Sequence, residues 1–164
     1  MSVRYFSLVI GLIYLAFGIT GVLPAFIDPI EVAPKLMSEV GVTDGLGYLY
    51  GLFPINTFEA MIYVVIGVGG LAGFAGTEIF ARLYADTLAV WLGFFGILGL
   101  IPIANTFFGL IPLYGNDVYL HLGTAAIAAY FGFFLDQGRP DRDPSVPDSI
   151  KPDPLTRTPF GSKP

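Results

Sequence analysis

Two stretches of this chain, 78 positions apart, repeat one another. Arg4, Phe17, Gly18, Ile19, Gly21 and Pro24 reappear as Arg82, Phe95, Gly96, Ile97, Gly99 and Pro102. Further on, Gly51-Leu52-Phe53-Pro54-Ile55 is echoed by Gly109-Leu110-Ile111-Pro112-Leu113. Each repeated stretch is apolar enough to enter a bilayer. That combination points to a duplicated membrane hairpin.

Four segments approach the roughly 20 apolar residues a helix needs to cross the hydrocarbon. They are Tyr5–Ala25, Ile55–Ala75, Leu83–Ile101 and Val118–Leu135. A backbone in lipid must satisfy its own hydrogen bonds, so helices are expected. The runs are continuous rather than alternating, which argues against a barrel. Only 13% of the residues are charged, against about 25% in a soluble domain, and the mean hydropathy is +0.71. The first segment is too long for a signal peptide and lacks a small-residue cleavage site. Its match to the third segment marks it as structural.

The expected fold is an all-α membrane protein. Its four transmembrane helices form two parallel tandem-repeat hairpins, related by a pseudo-twofold axis along the membrane normal. The transmembrane domain covers residues 1–135, with repeat one at 4–76 and repeat two at 82–135. Pro24 to Gly51 encloses 26 residues where Pro102 to Gly109 encloses 6, so the first hairpin carries an insertion at 25–50. Pro34 and Gly41 have the places to open and close a short helix there. The tail at 136–164 holds seven of the 13 prolines and equal numbers of acidic and basic residues. It is expected to be extended or disordered.

Basic residues set the orientation. Arg4, Arg82 and the tail cations share one side of a four-span chain, and only Lys35 lies on the other. Both termini are therefore expected in the cytoplasm. Gly11, Gly18 and Gly21 match Ala89, Gly96 and Gly99. Small residues allow close helix approach in lipid, so the first and third helices are expected to meet along this seam.

Polar residues inside apolar spans are the first functional candidates. Glu59 and Tyr63 lie four apart at the outer end of the second span, and Asp117 and His121 lie four apart at the outer end of the fourth. The Gly-Leu-x-Pro echo equates Glu59 with Asp117 and Tyr63 with His121. Each pair shares a helix face. Asn56, three residues before Glu59, has the spacing of a capping box. Capping and the helix dipole account for both acids without a function. Otherwise the cluster would bind a ligand, or His121 would carry a proton. One histidine excludes a bis-histidine haem within one chain. A metal site is not expected, since nothing beyond the repeat brings its ligands together. Arg82 and Asp86 are read as an interfacial ion pair.

No Walker loop, dinucleotide turn or nucleophile–histidine arrangement is present, and there is no cysteine. No catalytic residues or cofactors are assigned. The 15 Phe and 9 Tyr are expected to coat the lipid face, with a bound pigment or lipid as the alternative. The net charge of −5 disfavours nucleic acid.

Gly51-Leu52-Phe53-Pro54-Ile55-Asn56, Ala81-Arg82-Leu83-Tyr84, and Gly109-Leu110-Ile111-Pro112-Leu113 with Asp117 and His121 carry a family resemblance. Over residues 4–135 the chain resembles the small four-helix bacterial membrane proteins grouped as domain of unknown function 4383. Such proteins often carry histidines near the start of the second helix, where this chain has Glu59 and Tyr63. The resemblance implies a plasma or thylakoid membrane and brings no established activity. The expected function is a non-enzymatic accessory or structural subunit of a larger, photosynthetic or respiratory, membrane complex. Its partners are the bilayer and other subunits, docked through 25–50 and 136–164. The alternative is a membrane-embedded small-ligand binding or transport protein using the outer polar cluster.

Overall fold

The computed structural model describes residues 2–135. The expectations for the tail at 136–164 lie outside the described residues. Helix α1 spans Val3–Gly21, short of the expected Ala25. Pro24 cannot continue the ladder, and Pro24–Phe26 turns off as a single 3-10 turn. Helix α3 spans Thr57–Ala75, and α4 spans Glu78–Gly99. The three are long and apolar enough to cross a membrane. Only Gly76 and Thr77 separate α3 from α4, so α4 begins about a turn earlier than expected. Thr77 Oγ1 accepts from the Phe80 N–H and caps it. Helix α5 runs Asn116–Ala129 and then winds into a π turn over Tyr130–Phe134.

The expectation of an all-α protein is corrected by the insertion. Strands β1 (Ile27–Pro29), β2 (Gly47–Leu49) and β3 (Phe53–Ile55) form an antiparallel sheet in that order. Ile27 faces Leu49 across the first ladder, and Leu49 faces Phe53 across the second. Tyr50 and Gly51 make the tight β2–β3 turn with φ of +54° and +70°. Pro54 is tolerated because β3 is an edge strand. In sequence, β3 reads as the apolar entrance to the second span, which hides the strand. Helix α2, Lys35–Val40, follows Pro34 and ends at Gly41 with φ +80°, where the two breakers had placed it.

Helix α1 packs chiefly on α3, and α4 chiefly on α5. The glycine seam joins these partners, correcting the expectation that it joins the first and third spans, α1 and α4. A Cβ on Gly11 would lie 2.9 Å from Gly70 Cα, and one on Gly18 would lie 2.5 Å from Val64 N, both on α3. A Cβ on Gly96 would meet the Leu122 side chain of α5 at 2.6 Å. Without a hydrophobic drive between helices in lipid, such backbone approach supplies the packing. The α1–α4 contact is made elsewhere. Ser7 Oγ hydrogen-bonds Val3 O at 3.0 Å and reaches Ala81 O at 3.4 Å. A core of Phe6, Tyr14, Tyr63, Ala85, Leu92 and Phe131 fills the centre. Large apolar side chains such as Val65, Ile79 and Tyr119 point outward. That is the surface a membrane protein presents to lipid.

Candidate functional site

Asn56 begins the site. Its side chain accepts from the Glu59 N–H at 2.8 Å, capping α3 as expected. The return half of the capping box is replaced. Glu59 Oε1 accepts from the Tyr63 hydroxyl at 3.2 Å, and Oε2 has no hydrogen-bond partner. Asn56 Nδ2 instead donates to Leu110 O at 2.8 Å, tying α3 to the loop before α5.

The four-residue spacing turns Glu59 and Tyr63 toward α5, and Asp117 and His121 toward α3. All four residues are essentially without solvent exposure. Tyr63 Oη is the hub. It lies 2.7 Å from Asp117 Oδ1 and 3.2 Å from His121 Nε2, besides its contact with Glu59. His121 Nδ1 lies 3.0 Å from Asp117 Oδ2, yet neither atom has a well-aligned hydrogen bond. That pair is therefore in close contact without the directionality of a hydrogen bond. The Glu59, Asp117 and His121 ligand atoms all lie within 4.8 Å of one another. The convergence that the sequence left to the repeat alone is thus present.

Hydrogen counting defines what the cluster lacks. Four close contacts link these residues: Tyr63 to Glu59, to Asp117 and to His121, and His121 to Asp117. Ionised carboxylates donate nothing, a tyrosine donates one hydrogen and a neutral imidazole one. With both carboxylates ionised, two contacts would have no hydrogen and two negative charges would be uncompensated. Burying such charge costs several kcal/mol per ion. Two protons or one divalent cation complete the arrangement. Next to Glu59, Tyr63 and His121 lies a cavity of about 10 Å³, lined also by Ile66, Leu92 and Phe95. It has room for one water-sized particle and for no organic molecule. A larger pocket of about 280 Å³ between the end of α1 and the insertion is lined without any charged side chain.

Some neighbours were not singled out in the sequence. Tyr14 stands edge-on to the Tyr63 ring at 5.1 Å and donates to Thr124 Oγ1 at 3.2 Å. Tyr14 shares the α1 face of Gly11 and Gly18, and Thr124 is three residues beyond His121, so helical spacing carried the signal. Arg4 donates to Phe74 O through Nε at 3.0 Å and Nη2 at 2.7 Å. Arg82 donates to Gly132 O at 3.0 Å and Leu135 O at 2.6 Å. Each arginine thereby holds the last turn of a neighbouring helix, where unsatisfied carbonyls favour a cation.

The family model for the domain of unknown function DUF4383 matches residues 4–134. The chain belongs to that family. The matched span runs from Arg4, at the start of α1, to Phe134, the last residue of the π turn, and so contains all four cluster residues. No curated protein and no solved structure matches the chain.

Proposed function

We propose that this DUF4383 protein is a non-enzymatic, four-span bacterial membrane protein that takes a small cation into the Glu59–Tyr63–Asp117–His121 cluster. The carrying observation is the buried, unpartnered Glu59 Oε2 in a cluster whose Glu59, Asp117 and His121 ligand atoms all lie within 4.8 Å of one another. The small adjoining cavity favours an ion over an organic ligand. Asn56 positions the cluster by capping α3.

The fourth span is α5 with its π turn. Asn116 to Phe134 at 1.5 Å per residue reaches about 28 Å, close to the hydrocarbon thickness. The two-hairpin repeat is supported by matched contacts. Gly18 approaches Val64 and Ala60 while Gly96 approaches Leu122, and Gly21 approaches Ile55 while Gly99 approaches Leu113. Arg4 to Phe74 has its counterpart in Arg82 to Gly132. In this reading a pseudo-twofold axis runs along the membrane normal. Both termini are cytoplasmic, the cluster lies toward the outer leaflet, and the membrane is plasma or thylakoid.

The test is reconstitution into liposomes loaded with proton-sensitive and divalent-sensitive dyes, alongside equilibrium binding in detergent. An ion bound or moved by the wild type, and lost in Glu59→Gln/Asp117→Asn, supports the reading. A wild type that neither binds nor moves an ion, or a double variant that matches it, overturns the reading and leaves a structural latch.

A second reading, an accessory subunit docked through 25–50 and 136–164, is favoured by one observation. Val32 in the insertion and Ile103 in the facing loop are 80% and 88% exposed. Native mass spectrometry after mild-detergent extraction decides it: a co-purifying membrane partner supports docking, and a lone chain under every gentle condition overturns it.

A further inference from the structure

We infer that the cluster is a site for one four-coordinate divalent d-block cation of the zinc class. The inference rests on the reading of the cluster as a cation site and names its occupant. Charge comes first. With both carboxylates ionised, Glu59 and Asp117 would supply two negative charges beside a neutral imidazole and a phenol, and one divalent ion would cancel the set without a counterion. A monovalent cation leaves one charge buried, which an apolar surround disfavours.

Donor chemistry comes second. One imidazole nitrogen with two carboxylate oxygens suits zinc, whose fourth position a water can fill. There is no thiolate or thioether in the cluster for cuprous ion. Calcium takes 6–8 oxygens, and magnesium keeps several waters. Neither is accommodated by three ligating side chains, one phenol and a cavity of about 10 Å³.

Geometry comes third. Zinc holds nitrogen and oxygen at about 2.0–2.2 Å, which sets tetrahedral ligand–ligand edges near 3.4 Å. Tyr63 Oη stands 3.2 Å from His121 Nε2, 3.2 Å from Glu59 Oε1 and 2.7 Å from Asp117 Oδ1, the last a hydrogen bond that would have to lengthen. The three ligand atoms, within 4.8 Å of one another, need about 1 Å of side-chain contraction. His121 would ligate through Nε2, with Asp117 Oδ2 steadying Nδ1 at 3.0 Å. A rotation of the ring would turn that contact into the carboxylate–imidazole hydrogen bond usual for ligating histidines. Glu59 Oε2, buried and unpartnered, is a free donor.

The test uses the full chain in detergent, stripped with a chelator and titrated with Co²⁺, then with Zn²⁺. The expected result is one Co²⁺ per chain with the strong visible absorption of a four-coordinate ion, bleached by Zn²⁺. His121→Gln and Glu59→Gln should each weaken binding by more than the about 10–100-fold that loss of an outer-shell partner costs. Both should elute as the wild type does. No bound Co²⁺, only the weak spectrum of a six-coordinate ion, or equal affinity in both variants overturns the assignment. The wild-type spectrum decides the matter even where a variant fails to fold. If no metal binds but liposomes still move protons in a Glu59- and Asp117-dependent way, the metal falls and the cation-site reading stands.

Discussion

At the scale of single residues, Tyr63 does most to hold the cluster together. Its hydroxyl touches three side chains from both halves of the chain. Tyr63→Phe removes that group and leaves buried acceptors facing one another. A loss of about 1–3 kcal/mol is expected, the cost of stranding buried polar groups. Tyr14→Phe gives up a single neutral hydrogen bond, to Thr124, and should cost about 0.5–1.5 kcal/mol. Thermal unfolding of the two variants in the same detergent compares them; equal losses would remove Tyr63 from its central place. The four residue identities were legible in sequence because ionisable groups are rare inside apolar runs. Their mutual distances were not, because a repeat offset fixes which positions correspond and says nothing of how the helices rotate. Glu59 shows the limit: capping-box spacing assigned its carboxylate to the Asn56 end of the helix, and Tyr63, one turn further along α3, won it.

At the scale of elements, small residues decide which helices touch. Gly18→Ala would put a Cβ 2.5 Å from a backbone nitrogen of α3, where nothing flexible can yield. A destabilisation of about 1–3 kcal/mol is expected from such overpacking. Gly123→Ala meets nothing within 4 Å and should be neutral or stabilising by up to about 1 kcal/mol through helix propensity. The same unfolding measurement checks the pair, and equal effects would deny the seam its packing role. The seam was readable as a set of positions, but not its partner. Glycines at helical spacing mark a flat face, and either neighbour can occupy it. The helices at the apolar runs, the Pro34–Gly41 helix and the Asn56 cap were legible because each has a strong local signal. The sheet was not, because its strands are three residues each, too short for alternation to register, and β3 merges into an apolar run.

At the scale of the whole molecule, the insertion and the loop after α4 lie at one end, with Gly109 against Leu36 and Val40 of α2. The two-residue link between α3 and α4 lies at the other. Cysteines at Val32 and Ile103 should react with an impermeant maleimide from outside intact cells, and one at Ile79 only after permeabilisation. The chain has no cysteine of its own to confuse the labelling. Labelling of all three from one side would overturn the four-span topology. The split of the cluster between α3 and α5 also bears on synthesis. Tyr63 and His121 are 58 residues apart, and a ribosome adds about 5–20 residues per second. Glu59 is therefore made about 3–12 s before Asp117. During that interval the newborn hairpin carries an acid with Tyr63 as its sole cluster companion, the state that insertion machinery would have to shelter.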